Sequence, residues 1–68
     1  MTNCKRLQQE IEKSGYTIKY LAKQLNITPQ GFHKKRTGNS EFTIKEMLTL
    51  CEILKITKSE REEIFLAQ

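Results

Sequence analysis

Tryptophan is absent from this chain, histidine and proline occur once each, cysteine twice and glycine three times. Each scarcity excludes something. The single histidine, His33, has no CxxC or HxxxH companion, so no metal site is expected. Cys4 and Cys51 stand far apart on apolar helical faces and read as small buried hydrophobes rather than a disulfide or a reactive pair. With so few glycines there is no phosphate-cradling loop. No catalytic constellation is visible either, because the carboxylates Glu60, Glu62 and Glu63 suit the first turns of a helix. No enzyme activity and no cofactor are expected. No apolar run approaches the length that crosses a bilayer, and the signal-peptide pattern is missing. The chain therefore reads as soluble and cytoplasmic, without a membrane partner. No repeat, linker or low-complexity segment interrupts it.

What is present is charge, unevenly placed. Residues 1–40 hold eight basic side chains against two acidic ones, and residues 41–68 hold four against six, within a net charge of +4. A basic half joined to a mildly acidic one points one face toward a polyanion and another toward solvent or protein. Sixty-eight residues suffice for one domain, 1–68, with a small core.

Periodicity and capping signals give five helices and no strand. The first spans Asn3 to Lys13, with Cys4, Leu7 and Ile11 at helical spacing, and Ser14-Gly15 ends it. Thr17 caps the second, from Ile18 to Leu25, whose apolar set is Ile18, Leu21, Ala22 and Leu25. Asn26 tolerates the left-handed conformation that a sharp corner needs. Thr28-Pro29 restarts the chain as a third helix to Thr37, followed by the turn cluster Gly38-Asn39-Ser40. Thr43 to Glu46 matches a capping box, with Phe42 and Met47 placed for a hydrophobic staple. In the fourth helix Ile44, Met47, Leu48, Cys51 and Leu54 are read as the apolar face at the centre of the core. On that reading Leu48→Ala costs about 2–5 kcal/mol. The last helix follows Thr57; both Thr57…Glu60 and Ser59…Glu62 fit a capping box. Ile64 and Phe65 face inward, and Leu66 lies on another side.

The segment from Thr17 to Gly38 thus places two short helices across a tight turn, the second loaded with polar and basic side chains. Gly15-Tyr16-Thr17, Leu21-Ala22-Lys23-Gln24-Leu25, Ile27-Thr28, Phe32 and Gly38 together resemble the helix-turn-helix of the Cro/repressor (XRE) family of bacterial and phage regulators. Phe42 to Ile56 is similar to that family's fourth helix, and the likeness covers roughly residues 5 to 66. The resemblance implies an all-α, compact five-helix bundle of the lambda-repressor-like type and a cytoplasmic regulator from a bacterium, phage or mobile element. It implies base-reading sites on Pro29, Gln30 and Lys34, and phosphate contacts around Thr17 and on Thr37, Asn39 and Ser40. There are departures. Asn26 stands where glycine is usual, and Pro29 gives up a hydrogen bond to a base but can touch a thymine methyl. Gly31 weakens the third helix by about 1 kcal/mol relative to alanine. Lys35-Arg36 occupies a region where the family usually has a second apolar residue. The expectation is that their stems cover the core edge while the heads reach outward.

The side-chain chemistry fits this reading. Gln30 carries the donor and acceptor that match the adenine N6/N7 edge. Lys34, one turn on, can donate to guanine O6/N7 or to phosphate, and His33 beside it can donate to either. Lys19, Thr28, Lys35 and Arg36, with Thr17, Thr37, Asn39 and Ser40, are the candidate backbone contacts. The expected partner is double-stranded DNA, bound as a homodimer on a near-palindromic operator. The dimer surface is expected near Leu66 and the last helix, or near the loop before the fourth helix. The alternative is a protein-interaction module, an antirepressor or adaptor using the same bundle. RNA binding has less support, since there is no aromatic-bearing sheet and no GXXG loop.

Overall fold

Every helix begins where a short polar side chain takes up an orphan backbone N–H. The structure, a computed structural model, describes residues 2–65, and its elements are α1 (Cys4–Ser14), α2 (Ile18–Gln24), α3 (Pro29–Arg36), α4 (Ile44–Leu54) and α5 (Lys58–Phe65). The Asn3 side chain accepts from the N–H of Arg6, Thr17 from Tyr20 and Thr28 from Gly31, at 3.2, 3.0 and 3.0 Å. Thr43 and Glu46 close the expected capping box in both directions. The ambiguous start of α5 resolves in favour of Thr57. The Thr57 N–H donates to the Glu60 carboxylate at 3.0 Å, and the Glu60 N–H donates back to the Thr57 hydroxyl at 3.2 Å. The corner between α2 and α3 turns on Asn26 at φ 61°, and Ile27 N–H donates to the Ala22 carbonyl across it.

The core is formed by Leu7 and Ile11 of α1, Leu21, Ala22 and Leu25 around α2, Phe32 of α3, Leu50 and Cys51 of α4, and Ile64 and Phe65 of α5. Phe42, just before α4, joins α3 to α5 by packing edge-on against Phe32 (centroids 6.0 Å apart) and Phe65 (5.7 Å). Cys4 is half-buried and Cys51 buried, and both are free thiols. Burial pushes the Cys51 thiol pKa up, against the pull of the nearby Arg61 charge.

One expectation fails here. Ile44 and Leu48 are not central: they are 73% and 44% exposed, whereas Leu50 is fully buried. The inward face of α4 is Met47, Leu50, Cys51 and Leu54, rotated from the anticipated one. Its rotation carries Leu48 to the surface, which removes the basis for a large Leu48→Ala cost. Leu66 lies outside the described residues.

Two ionic clasps hold the helices in place. Arg6 on α1 reaches Glu10 on its own helix and Glu60 and Glu63 on α5, at 3.3, 3.2 and 3.0 Å. The Arg6 pKa is raised, first by its hydrogen bond to Glu10. Lys35 on α3 is paired with Glu46 on α4, both side chains largely covered. Burial works to raise the Glu46 pKa, but hydrogen bonds from Lys35 and Thr43 outweigh it and leave it lowered. The two hydrogen bonds with Thr57 lower that of Glu60, with Arg6 and Lys13 adding to the effect. Both carboxylates start from a reference value of 4.5. A group whose folded pKa is depressed stabilises the fold above its unfolded value and loses that contribution as pH falls through the folded one. The melting temperature is therefore expected to hold at neutral pH and fall as the solution is acidified below about pH 4.5. Glu46→Gln, which can still cap α4, flattens part of that fall; an unchanged acid profile would show that the Lys35 clasp does not contribute.

Candidate nucleic-acid interface

The α3 helix divides cleanly along its length. Phe32 is buried, and Gly31, Lys35 and Arg36 are partly covered. Pro29, Gln30, His33, Lys34 and Thr37 are exposed and recur at three- and four-residue steps, so they share one outward face. With its side chains an α-helix is about 10–12 Å across, close to the width of a B-DNA major groove, about 12 Å. Among the described residues, the Gln30 and Lys34 side chains make no hydrogen bond or ion pair within the chain. Their donors and acceptor are open to an external partner.

The face is built from local chemistry. Pro29 at the first helical position spends no N–H and fixes φ, while the Thr28 hydroxyl accepts the N–H of Gly31. A β-carbon on Gly31 would stand 3.2 Å from that hydroxyl, so the residue keeps the cap uncrowded. The far end closes on Gly38 at φ 91°, where a β-carbon would also press on the Cys4 sulfur at 3.3 Å. The N–H groups of Asn39 and Ser40 both donate to the Lys34 carbonyl at 2.9 and 3.1 Å. That ties the exposed turn of Gly38, Asn39 and Ser40 to the end of the helix. The α2 and α1 helices both pack on α3.

The segment of chain that builds this face carries charge of one sign. From Lys13 to Ser40 there are six Lys and Arg residues and no Asp or Glu. Lys19 and Lys23 flank a shallow groove continued by Asn26, Ile27, Thr28 and Pro29. Lys19 was among the expected contacts and Lys23 was not; its signal was the four-residue step from Lys19. Thr17 is exposed, and its hydroxyl accepts the Tyr20 N–H. Tyr16 and Tyr20, not singled out as contacts, stack at 5.0 Å between centroids beside it, each 42% exposed. The same four-residue spacing marks them.

Lys35 and Arg36 do not send their heads outward. The Lys35 ammonium is occupied by Glu46. The Arg36 guanidinium donates to the Gln8 side-chain oxygen on α1 at 2.9 Å and lies 3.0 Å from Nδ1 of His33. Its Nε is buried with no partner. Polar partners on α4 and α1 have taken the place of the apolar contact expected there, so the third helix is fastened at its edge by hydrogen bonds. No group of three or more metal-ligating side chains gathers among the described residues, and no helix there is long and apolar enough to cross a membrane.

Comparison with known proteins agrees with this geometry. No curated protein and no solved structure matches the chain. The sequence model of one family, described as the Cro/C1-type HTH DNA-binding domain, matches residues 6–60, from α1 into the start of α5. That match spans far more than half of the chain, and within it lie both helices of the corner at Asn26 and the outward face of α3; the chain belongs to the Cro/C1-type HTH DNA-binding domain family.

Proposed function

We propose that this protein is a sequence-specific regulator of transcription that binds double-stranded DNA and acts as a repressor by occupying its operator. The α3 helix enters the major groove. Pro29, Gln30, His33 and Lys34 meet base edges, and Thr17, Lys19, Thr28, Thr37, Asn39 and Ser40 hold the sugar–phosphate backbone to either side. The observation that carries the reading is the uncommitted outward face of α3 within a stretch that has no acidic side chain. Lys35 and Arg36, engaged inside the protein, set the helix's seat.

A module of this size buries only about 600–1,000 Å² of its own surface on DNA and binds weakly alone. We infer a homodimer reading two half-sites about 34 Å apart. The exposed Ile44 and Leu48, beside the loop that precedes α4, supply an apolar strip on which a second copy can rest. Action on DNA places the protein inside the cell, in the cytoplasm of a bacterium or phage-infected host.

The test is a selection from a random duplex pool, followed by a salt titration on the selected site. The expected result is one enriched, near-palindromic sequence and an affinity that falls with salt, at a log–log slope of about −0.9 for every phosphate neutralised. Lys34→Ala is expected to relax the choice of base at one position, as removal of a base contact should. A uniform loss on all sequences, with the salt slope reduced by about 1, would instead place Lys34 on a phosphate. Retention of a protein partner after nuclease treatment, with no enriched duplex, would replace this function with that of an adaptor or antirepressor.

A further inference from the structure

We infer that Arg36 is a positioning residue for His33, fixing the imidazole tautomer so that the reading helix offers a hydrogen-bond donor, and no acceptor, at that point. The statement about the ring stands on its own geometry; its consequence for base choice rests on the DNA-binding function proposed above.

A guanidinium has five N–H donors and no acceptor. Its contact with His33 Nδ1, at 3.0 Å, therefore requires that nitrogen to be bare. In a neutral imidazole the proton then sits on Nε2, since the bond made by one ring nitrogen decides the state of the other. The guanidinium is held for this task from a second helix. Its other terminal nitrogen donates to the Gln8 oxygen on α1 at 2.9 Å, and the side chain is half-buried. Among the described residues no carboxylate forms an ion pair with Arg36 to draw it away. The bond to Gln8 on one arm of the planar fork limits the freedom of the other arm, which meets His33. His33 itself is exposed on the reading face. A ring locked with the proton on Nε2 can donate to guanine N7 or O6, to adenine N7, to thymine O4 or to a phosphate oxygen. It cannot accept from the amino groups of adenine or cytosine.

His33 is the chain's only histidine, so a nitrogen spectrum of the ring needs no assignment. The measurement is a long-range proton–nitrogen correlation of the full chain without DNA at about pH 8.5, where imidazole is neutral. The same chain unfolded in urea serves as the free-side-chain reference. The expected result is a bare Nδ1 and a protonated Nε2 in the folded protein, with a larger share of that tautomer than in the unfolded chain. Arg36→Met is expected to bring the ring back to the reference. Equal tautomer shares in folded and unfolded chain, or a proton on Nδ1, overturn the inference, and neither result depends on whether the variant folds. On DNA, the selected sequences should disfavour cytosine at one position, the base with no major-groove acceptor, with that preference reduced about fivefold in Arg36→Met. If the native protein selects no duplex at all, the proposed function fails and the ring spectrum still decides the tautomer.

Discussion

Leu50→Ala is expected to remove most of the stability of this protein, and Leu48→Ala, two residues away, almost none. Leu50 is fully buried within the core, while Leu48 is 44% exposed on the opposite side of the same helix. Truncating a buried leucine costs about 2–5 kcal/mol, the lost transfer free energy plus the cavity left behind. A chain of this length has roughly 3–10 kcal/mol in total, at about 0.05–0.15 kcal/mol per residue. One such cavity therefore consumes much or all of it. A substitution on the solvent side stays within about 0.5 kcal/mol. Urea denaturation followed by helical circular dichroism separates the two. The Leu50→Ala midpoint should fall toward zero denaturant, and that of Leu48→Ala should stay with the parent. The reverse order would mean that α4 is rotated by half a turn from the face described here.

That pair also shows where the amino-acid sequence is informative and where it is silent. Helix starts are legible because capping is local: Thr28-Pro29, Thr43…Glu46 and the Asn26 corner act within four residues of themselves. The outward face of α3 is legible for the same reason, since Gln30 and Lys34 stand one turn apart whatever packs behind them. The inward face of α4 is not. Residues 44–54 hold seven apolar side chains, so the sets 44, 47, 48, 51 and 47, 50, 51, 54 fit helical spacing equally well. Only the neighbours brought by the rest of the fold choose between them. Lys35 and Arg36 fail to be legible in another way. Their partners are Glu46, eleven residues on, and Gln8, twenty-eight residues back. Long basic side chains read as outward-reaching until the fold supplies acceptors close by. The start of α5 shows the mixed case: two overlapping capping boxes were visible, and the formed one is Thr57 with Glu60, whose carboxylate also meets Arg6 of α1.

Gln30→Ala is expected to weaken binding to the selected DNA site by roughly 5- to 150-fold while leaving the protein folded. Gln30 is exposed and makes no bond within the chain among the described residues, so its loss opens no cavity and orphans no partner. Alanine also favours the helix slightly more than glutamine does, and the melting temperature should not fall. A side-chain amide presented to an adenine edge contributes about 1–3 kcal/mol of discrimination, which converts to roughly 5- to 150-fold in affinity for the selected duplex. Binding to unrelated duplex should be untouched, because that affinity comes from cations on phosphates and glutamine carries no charge. For the same reason the salt slope should be unchanged. Three readouts then move differently: specific affinity collapses, non-specific affinity and salt slope hold, and thermal stability holds. If the variant binds the selected duplex as tightly as the parent, Gln30 does not read a base, and the angle at which α3 enters the groove must place the contact on Pro29, His33 or Lys34 instead. If both affinities fall together with stability, the residue is part of the helix's seat rather than of its reading face.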